Sequence, residues 1–141
     1  MSHTAQYARR HDVDIRREFP AKLEEIDLFC AELRQRLVRA HWKRALFAAE
    51  LLVREMLNNA VIHGCRNKPA MKVRCRLKIT GKCLTIHVAD QGAGFDWAHR
   101  HEGRKSTTAT SGRGLSLLRA YSTELQFNPK GNALTIRRQF G

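Results

Sequence analysis

Glu55, Asn59 and His63 stand four residues apart in the segment L-L-V-R-E-M-L-N-N-A-V-I-H-G, a spacing that lines them along one stripe of a helix. The rest of that segment is nearly all apolar, and a polar group buried there without a partner costs about 1–3 kcal/mol. The side-chain oxygen of an Asn is a hard ligand of the kind Mg²⁺ takes. A carboxylate one turn earlier can orient or deprotonate a nucleophile. A helix edge left wet would account for the same residues, so the stripe alone names no site.

Two further stretches have chemistry of their own. Asp90-Gln91-Gly92-Ala93-Gly94-Phe95 follows an apolar alternation. Glycines two apart let a backbone turn sharply and come close to a ligand, and an Asp at a strand end can accept a hydrogen bond from an exocyclic amine. An ordinary turn that ends a strand has the same composition. In Ser111-Gly112-Arg113-Gly114-Leu115 the glycines open a helical pattern. Free amides and the helix dipole together favour an anion such as phosphate at that point, and Arg113 adds charge. A flexible loop ending in a helix cap is the plainer account.

The elements that must position these residues follow from periodicity. Ile15–Phe19 reads as a short strand closed by Pro20. From Ala21 to about Arg39 the residues Leu23, Ile26, Phe29, Cys30, Leu33 and Leu37 recur at helical spacing. A second helix runs from about Lys43 to His63, with Gly64 as its stop. Met71, Val73, Cys75, Leu77 and Ile79 alternate with Lys72, Arg74, Arg76 and Lys78, which predicts a strand with one buried and one basic face. Thr80-Gly81-Lys82 turns that strand into a partner over Cys83–Ala89. Leu115–Tyr121 reads as a helix. Glu124–Phe127 and Ala133–Phe140 read as a closing hairpin around Asn128-Pro129-Lys130-Gly131-Asn132. The expected fold class is therefore α+β: a two-layer α/β sandwich with a mixed or antiparallel sheet and helices on one face. Residues 1–14 are expected to be a flexible polar tail and 15–141 one domain.

Composition narrows the class. The 141 residues suffice for one cored domain. No apolar run reaches the roughly 20 residues of a membrane span, and the polar N-terminus lacks the apolar centre of a signal peptide. A cytoplasmic location without membrane contact is the expectation. Cys30, Cys65, Cys75 and Cys83 form no C-x-x-C pair and have no His at finger spacing, so they read as reduced, mostly buried side chains. The 26 Lys and Arg against 13 Asp and Glu give a net charge of +13. That excess points to an acidic partner, a nucleic acid or a polyphosphate, or only to a solvated basic surface.

In order, the three stretches are a helix with E-x-x-x-N, a strand ending D-x-G-x-G, and a polar segment ending G-x-G before a helix. Together they resemble the GHKL ATPase superfamily, which includes DNA gyrase-type ATPases, histidine kinases and anti-sigma-factor kinases. The resemblance spans about residues 15–141 and implies the histidine kinase-like ATPase fold with ATP and Mg²⁺ as cofactors. It also implies roles for single residues. Asn59 would coordinate Mg²⁺ and Asp90 would hold the adenine amine. Gly92 and Gly94 would shape the adenine pocket. Gly112, Arg113, Gly114 and Leu115, with the lid before them, would hold the triphosphate, and Glu55 would be the general base.

Glu at position 55 resembles gyrase-type and anti-sigma kinases more than histidine kinases, which usually have Asn there. The chain has no room for a phosphoacceptor helix pair, and His41 in R-A-H-W-K reads as an ordinary residue between helices. The resemblance is thus to the anti-sigma-factor serine/threonine kinases of bacterial partner switching. It implies a STAS-domain anti-sigma-factor antagonist as phosphorylation substrate, a sigma factor or other regulatory target as second partner, and homodimerisation. In the lid, Arg104 and Lys105 are candidates to reach the γ-phosphate, and His99 with His101 form a weak metal-ligand candidate lacking a third member. Two other readings stay open: an ATP-gated binding module that transfers nothing, and a nucleic-acid-binding protein using Lys72, Arg74, Arg76 and Lys78. No aromatic residues are interleaved there to stack on bases, which weighs against the last.

Overall fold

Strand alternation builds the sheet. In β2 (Lys72–Thr80) the side chains of Val73, Cys75, Leu77 and Ile79 are buried, while Lys72 and Arg74 are exposed. β3 (Cys83–Asp90) returns through Gly81, whose φ of 62° is a left-handed turn conformation open to glycine, and it buries Leu84, Ile86 and Val88. β1 (Val13–Pro20), β4 (Glu124–Phe127) and β5 (Ala133–Gln139) complete a five-stranded sheet in the order β1-β2-β3-β5-β4, antiparallel throughout. Register aligns Ile15, Leu77, Ile86, Ile136 and Leu125 in one row across all five strands, so a single apolar band faces the helices. The computed structural model describes residues 10–94 and 109–140, the stretch 109–114 by its backbone alone.

α1 (Leu23–Arg39) buries Ile26, Phe29, Cys30, Leu33 and Leu37. Glu24 and Glu25 in its first turn and Arg36 and Arg39 in its last complement the helix dipole. His41 ends it in a left-handed conformation, φ 63°, and Trp42 N donates to Leu37 O at 2.8 Å, closing the last carbonyls. The second helical region divides into three parts: a 3-10 turn at Lys43–Ala45, α2 (Leu46–Asn58), and a π turn at Asn59–Gly64. α3 (Ala109–Tyr121) places Leu118 in the core. α2 packs against α1, α3 and β3, so it is the element joining both layers. The architecture is the expected α+β sandwich.

Two boundaries and one side chain differ from expectation. β1 begins at Val13 rather than Ile15, because Val13 is buried and pairs with Ile79. α3 begins six residues before Leu115, since its first turns have no apolar stripe to show it. Arg17, which alternation would send inward, is exposed and reaches Glu32 on α1, its Nε donating to Oε1 at 3.0 Å. Cys30, Cys65 and Cys75 are buried and Cys83 half-buried. Burial pushes the Cys30 thiol up to about 11 and that of Cys75 to about 12, so neither is a ready nucleophile.

On the outer surface Arg34 donates to both carboxylate oxygens of Glu50 at 2.9 and 2.8 Å, and Arg54 links Glu50 at 3.2 Å to Asp27 at 2.8 Å. Solvent screens such pairs. Arg34→Gln is therefore expected to lower the unfolding free energy by less than about 1 kcal/mol in urea denaturation.

Candidate functional site

The site begins where α2 changes its hydrogen bonding. The backbone widens into the π turn at Asn59, and Cys65 N donates to Ala60 O at 2.8 Å. Such insertions are rare and concentrate at functional positions. Buried Ala60 and Val61 hold this one against the core and leave Asn59 half-buried at the surface of the helix.

Facing it is the end of β3. Asp90 N donates to Asn132 O at 2.9 Å, and Gly92 N donates to Asp90 Oδ1 at 2.7 Å. That second bond fixes the carboxylate and leaves Oδ2 as an acceptor with no donor among the described residues. Burial holds the Asp90 carboxyl above its ordinary range, opposed in smaller measure by the Gly92 amide and the charge of Lys130. An acceptor-only group kept partly out of water is set up for a ligand donor.

Space for this arrangement comes from glycines. A Cβ on Gly64 would overlap the Asp90 carboxylate, lying 2.6 Å from Cγ. One on Gly92 would overlap the Gly64 carbonyl, and one on Gly94 would overlap that of Lys130. Gly94 also has a φ of 84°, so an alanine there is strained on both counts. Gly64 thus has a use beyond ending a helix: it seats the carboxylate.

The β4–β5 turn closes the far side. Asn128 Oδ1 accepts from the amides of Gly131, Asn132 and Ala133 at 2.8, 3.0 and 3.1 Å, and Asn128 Nδ2 donates to Asn132 Oδ1 at 2.7 Å. Asn132 Nδ2 in turn donates to Asp90 O at 3.2 Å. The turn is therefore a brace for the Asp90 loop. Sequence pattern alone shows only a hairpin connection here. Two asparagines flanking Pro-Lys-Gly offer more hydrogen-bonding capacity than such a connection needs, and that was the available signal.

The result is a narrow cleft open to solvent, with Asn59, Gly64, Asp90 and Asn132 among its lining residues and Met56 and Val88 on its apolar side. An apolar slot with a few convergent polar groups suits a flat heterocycle bearing an amine. The structure thus brings Asn59 and Asp90 together, with Gly92 and Gly94 shaping the adjoining loop. Glu55 is half-buried one turn before Asn59 and lies outside the cleft lining. By backbone, Gly112 falls in the first turn of α3, and Arg113, Gly114 and Leu115 in the second, Leu115 being half-buried. Arg104, Lys105, His99 and His101 lie outside the described residues.

Comparison with known proteins bears on the family and the fold. A family model described as a histidine kinase-like ATPase domain matches residues 19–138. Among solved structures, the chain is similar to the histidine kinase domain of a blue-light activated histidine kinase from Erythrobacter litoralis. The TM-score is 0.50 and the identity 16%, over 84% of this chain. The chain spans 59% of the length of that domain, and the likeness concerns the fold. No curated protein sequence matches it.

Proposed function

Because the chain belongs to the histidine kinase-like ATPase domain family, we propose that its cleft binds ATP with Mg²⁺ and that it is a serine/threonine kinase of the anti-sigma-factor type. The protein substrate in this reading is a STAS-fold anti-sigma-factor antagonist, and a sigma factor or similar regulator is held in the other state of the switch. The observation that supports nucleotide binding most directly is the Asp90 carboxylate, fixed by Gly92, seated by Gly64 and left with an acceptor oxygen that no described residue fills, beside an apolar slot.

The residues present fit the cofactor. No cluster of three or more His, Cys, Asp and Glu side chains occurs among the described residues, and Mg²⁺ commonly binds through one or two protein oxygens plus substrate phosphates. Asn59 supplies such an oxygen from the rim of the cleft. Bound there, the ion would neutralise phosphate charge. For transfer, the partner's hydroxyl oxygen forms a bond to the γ-phosphorus as the bond to the β–γ bridging oxygen breaks. The hydroxyl proton passes to the Glu55 carboxylate, and ADP leaves.

One observation favours a second reading. Glu55 is not part of the cleft lining, as a module that binds nucleotide but transfers nothing would allow. Calorimetric titration of Mg-ATP into the wild type and Asn59→Ala tests the site, with an expected loss of about tenfold in affinity and of most of its Mg²⁺ dependence in the variant. Incubating the wild type with labelled ATP and a STAS-domain antagonist tests the transfer. Binding without transfer would leave the binding module, and no binding would remove both readings.

A further inference from the structure

The helices cover one face of the sheet, while the residues of its other face are exposed or half-buried. Register assembles a row there: Arg16 stands opposite Arg76, Arg76 opposite His87, and His87 opposite Thr135. Arg74 and Lys78 lie two residues either side of Arg76 on the same strand, with Lys72 beyond, and Arg137 faces Thr85 from β5. Directly opposed like charges in a sheet are destabilising, so this row costs the fold something.

The face's own carboxylates do not match it. Asp14 takes Arg76 in a two-point contact, at 3.0 and 2.9 Å, and is shared with Arg16 at 3.7 Å. Glu18 reaches Arg74 at 3.4 Å and Glu124 reaches Arg137 at 3.9 Å. Six cations, Lys72 and Lys78 among them, thus meet three carboxylates on this face. A shallow groove runs between them, lined by Arg16, Arg17, Glu18, Arg74, Arg76 and His87.

We propose that this open sheet face is a docking surface for an acidic polypeptide segment. Three features favour a protein over a nucleic acid. Three carboxylates are set among the six cations, Asp14 and Glu18 on either side of Arg16 and Glu124 opposite Arg137, a mixed pattern that suits a protein surface more than a track for phosphates. The outward side chains include no Phe, Tyr or Trp on which bases would stack. Among the described residues the guanidiniums are only partly used, and the Arg76–Asp14 pair shows the two-point carboxylate grip that they offer. His87, held below its ordinary pKa by burial and then by Arg74, adds a neutral donor or acceptor at the centre of the row. The face lies opposite the helical layer that contributes to the nucleotide cleft, so the inference stands apart from the kinase reading.

The test uses the full chain and a fluorescent short peptide of alternating Glu and Thr, with its Gln-for-Glu counterpart, followed by anisotropy. The peptide is expected to bind more weakly as salt rises and the Gln version not to bind. The double reversal Arg74→Glu with Lys78→Glu is expected to weaken binding by at least about tenfold. Lys22→Glu with Lys43→Glu makes the same charge change away from the face and is expected to leave affinity within about twofold. Should the face variant not fold, amide shifts of the wild type on titration must concentrate in β1, β2 and β3. The proposal is overturned by absence of binding at low salt, by equal binding of the Gln peptide, or by equal loss in the control pair. Tighter binding of a short duplex DNA through the same face overturns it too, in favour of a nucleic acid.

Discussion

Glu55→Gln is expected to slow phosphoryl transfer by about 100- to 10,000-fold, the range for removing a positioned general base, while Mg-ATP affinity stays within about twofold. The two effects separate because of position. Glu55 is one helical turn before Asn59 and outside the cleft lining, so its exchange for glutamine leaves the lining residues in place. Glutamine keeps the size of the side chain and its hydrogen-bonding shape, and loses only the capacity to take a proton. Single-turnover transfer of labelled γ-phosphate, run beside calorimetric titration, reads both quantities. If affinity drops with the rate, Glu55 is holding the helix or the nucleotide. If neither changes, the proton goes elsewhere and transfer through Glu55 is wrong. Only the split, rate lost and affinity kept, assigns the base.

The ease with which this sequence yields its fold has a local cause. In Met71–Ile79 the apolar and basic residues alternate without a break, and a period of two has one structural meaning. Leu23 to Leu37 is as plain for a helix, and Gly81 marks the hairpin between β2 and β3. What escaped the reading is what depends on partners far along the chain. No residue pattern in Asn59–Gly64 announces a π turn. Its hydrogen bonds are selected by how Ala60 and Val61 pack into a core built from other elements. The start of α3 was hidden because Gly112 and Gly114 each cost a helix up to about 1 kcal/mol and supply no apolar stripe, yet neither forbids it.

The site shows the same division. Asp90, Gly92 and Gly94 were visible as a strand end with glycines, since chemistry and backbone freedom coincide within five residues. Asn132 was not, because its contact with Asp90 O spans 42 positions and arises only when β5 pairs with β3. Gly64 ends the helical region as its type suggests, and the same missing side chain also makes room for a carboxylate from another strand, which no local pattern announces.

Gly64→Ala should therefore reduce Mg-ATP affinity by about 100-fold, or about 2.7 kcal/mol, although Gly64 itself offers a ligand nothing but backbone. Gly64 does not adopt a positive φ, so its backbone accepts alanine, and a Gly-to-Ala change at a compatible position stabilises by about 0.4–1 kcal/mol through the unfolded chain. The obstacle is space: the new Cβ lies 2.6 Å from Asp90 Cγ and 2.8 Å from Oδ1. A side-chain terminus can swing away where a backbone cannot, so the protein folds and the carboxylate leaves its place, releasing the Gly92 amide. A double-mutant cycle isolates this mechanism. In an Asp90→Ala background the clash is gone, and Gly64→Ala should add no further loss. A multiplied loss would mean that Gly64 acts on something other than Asp90. The pH dependence gives an independent reading of the same group. The raised Asp90 pKa means that its buried charge weighs on the fold above that pKa and is relieved as pH falls through it. The acceptor is lost over the same interval, so acidification should weaken Mg-ATP binding at a higher pH than an ordinary carboxylate would, while the empty protein becomes no less stable from this group. Asp90→Asn should remove that step from the binding curve. It retains an oxygen for the Gly92 amide and sheds the cost of burying a charge, so its melting temperature should not fall even as its nucleotide affinity does.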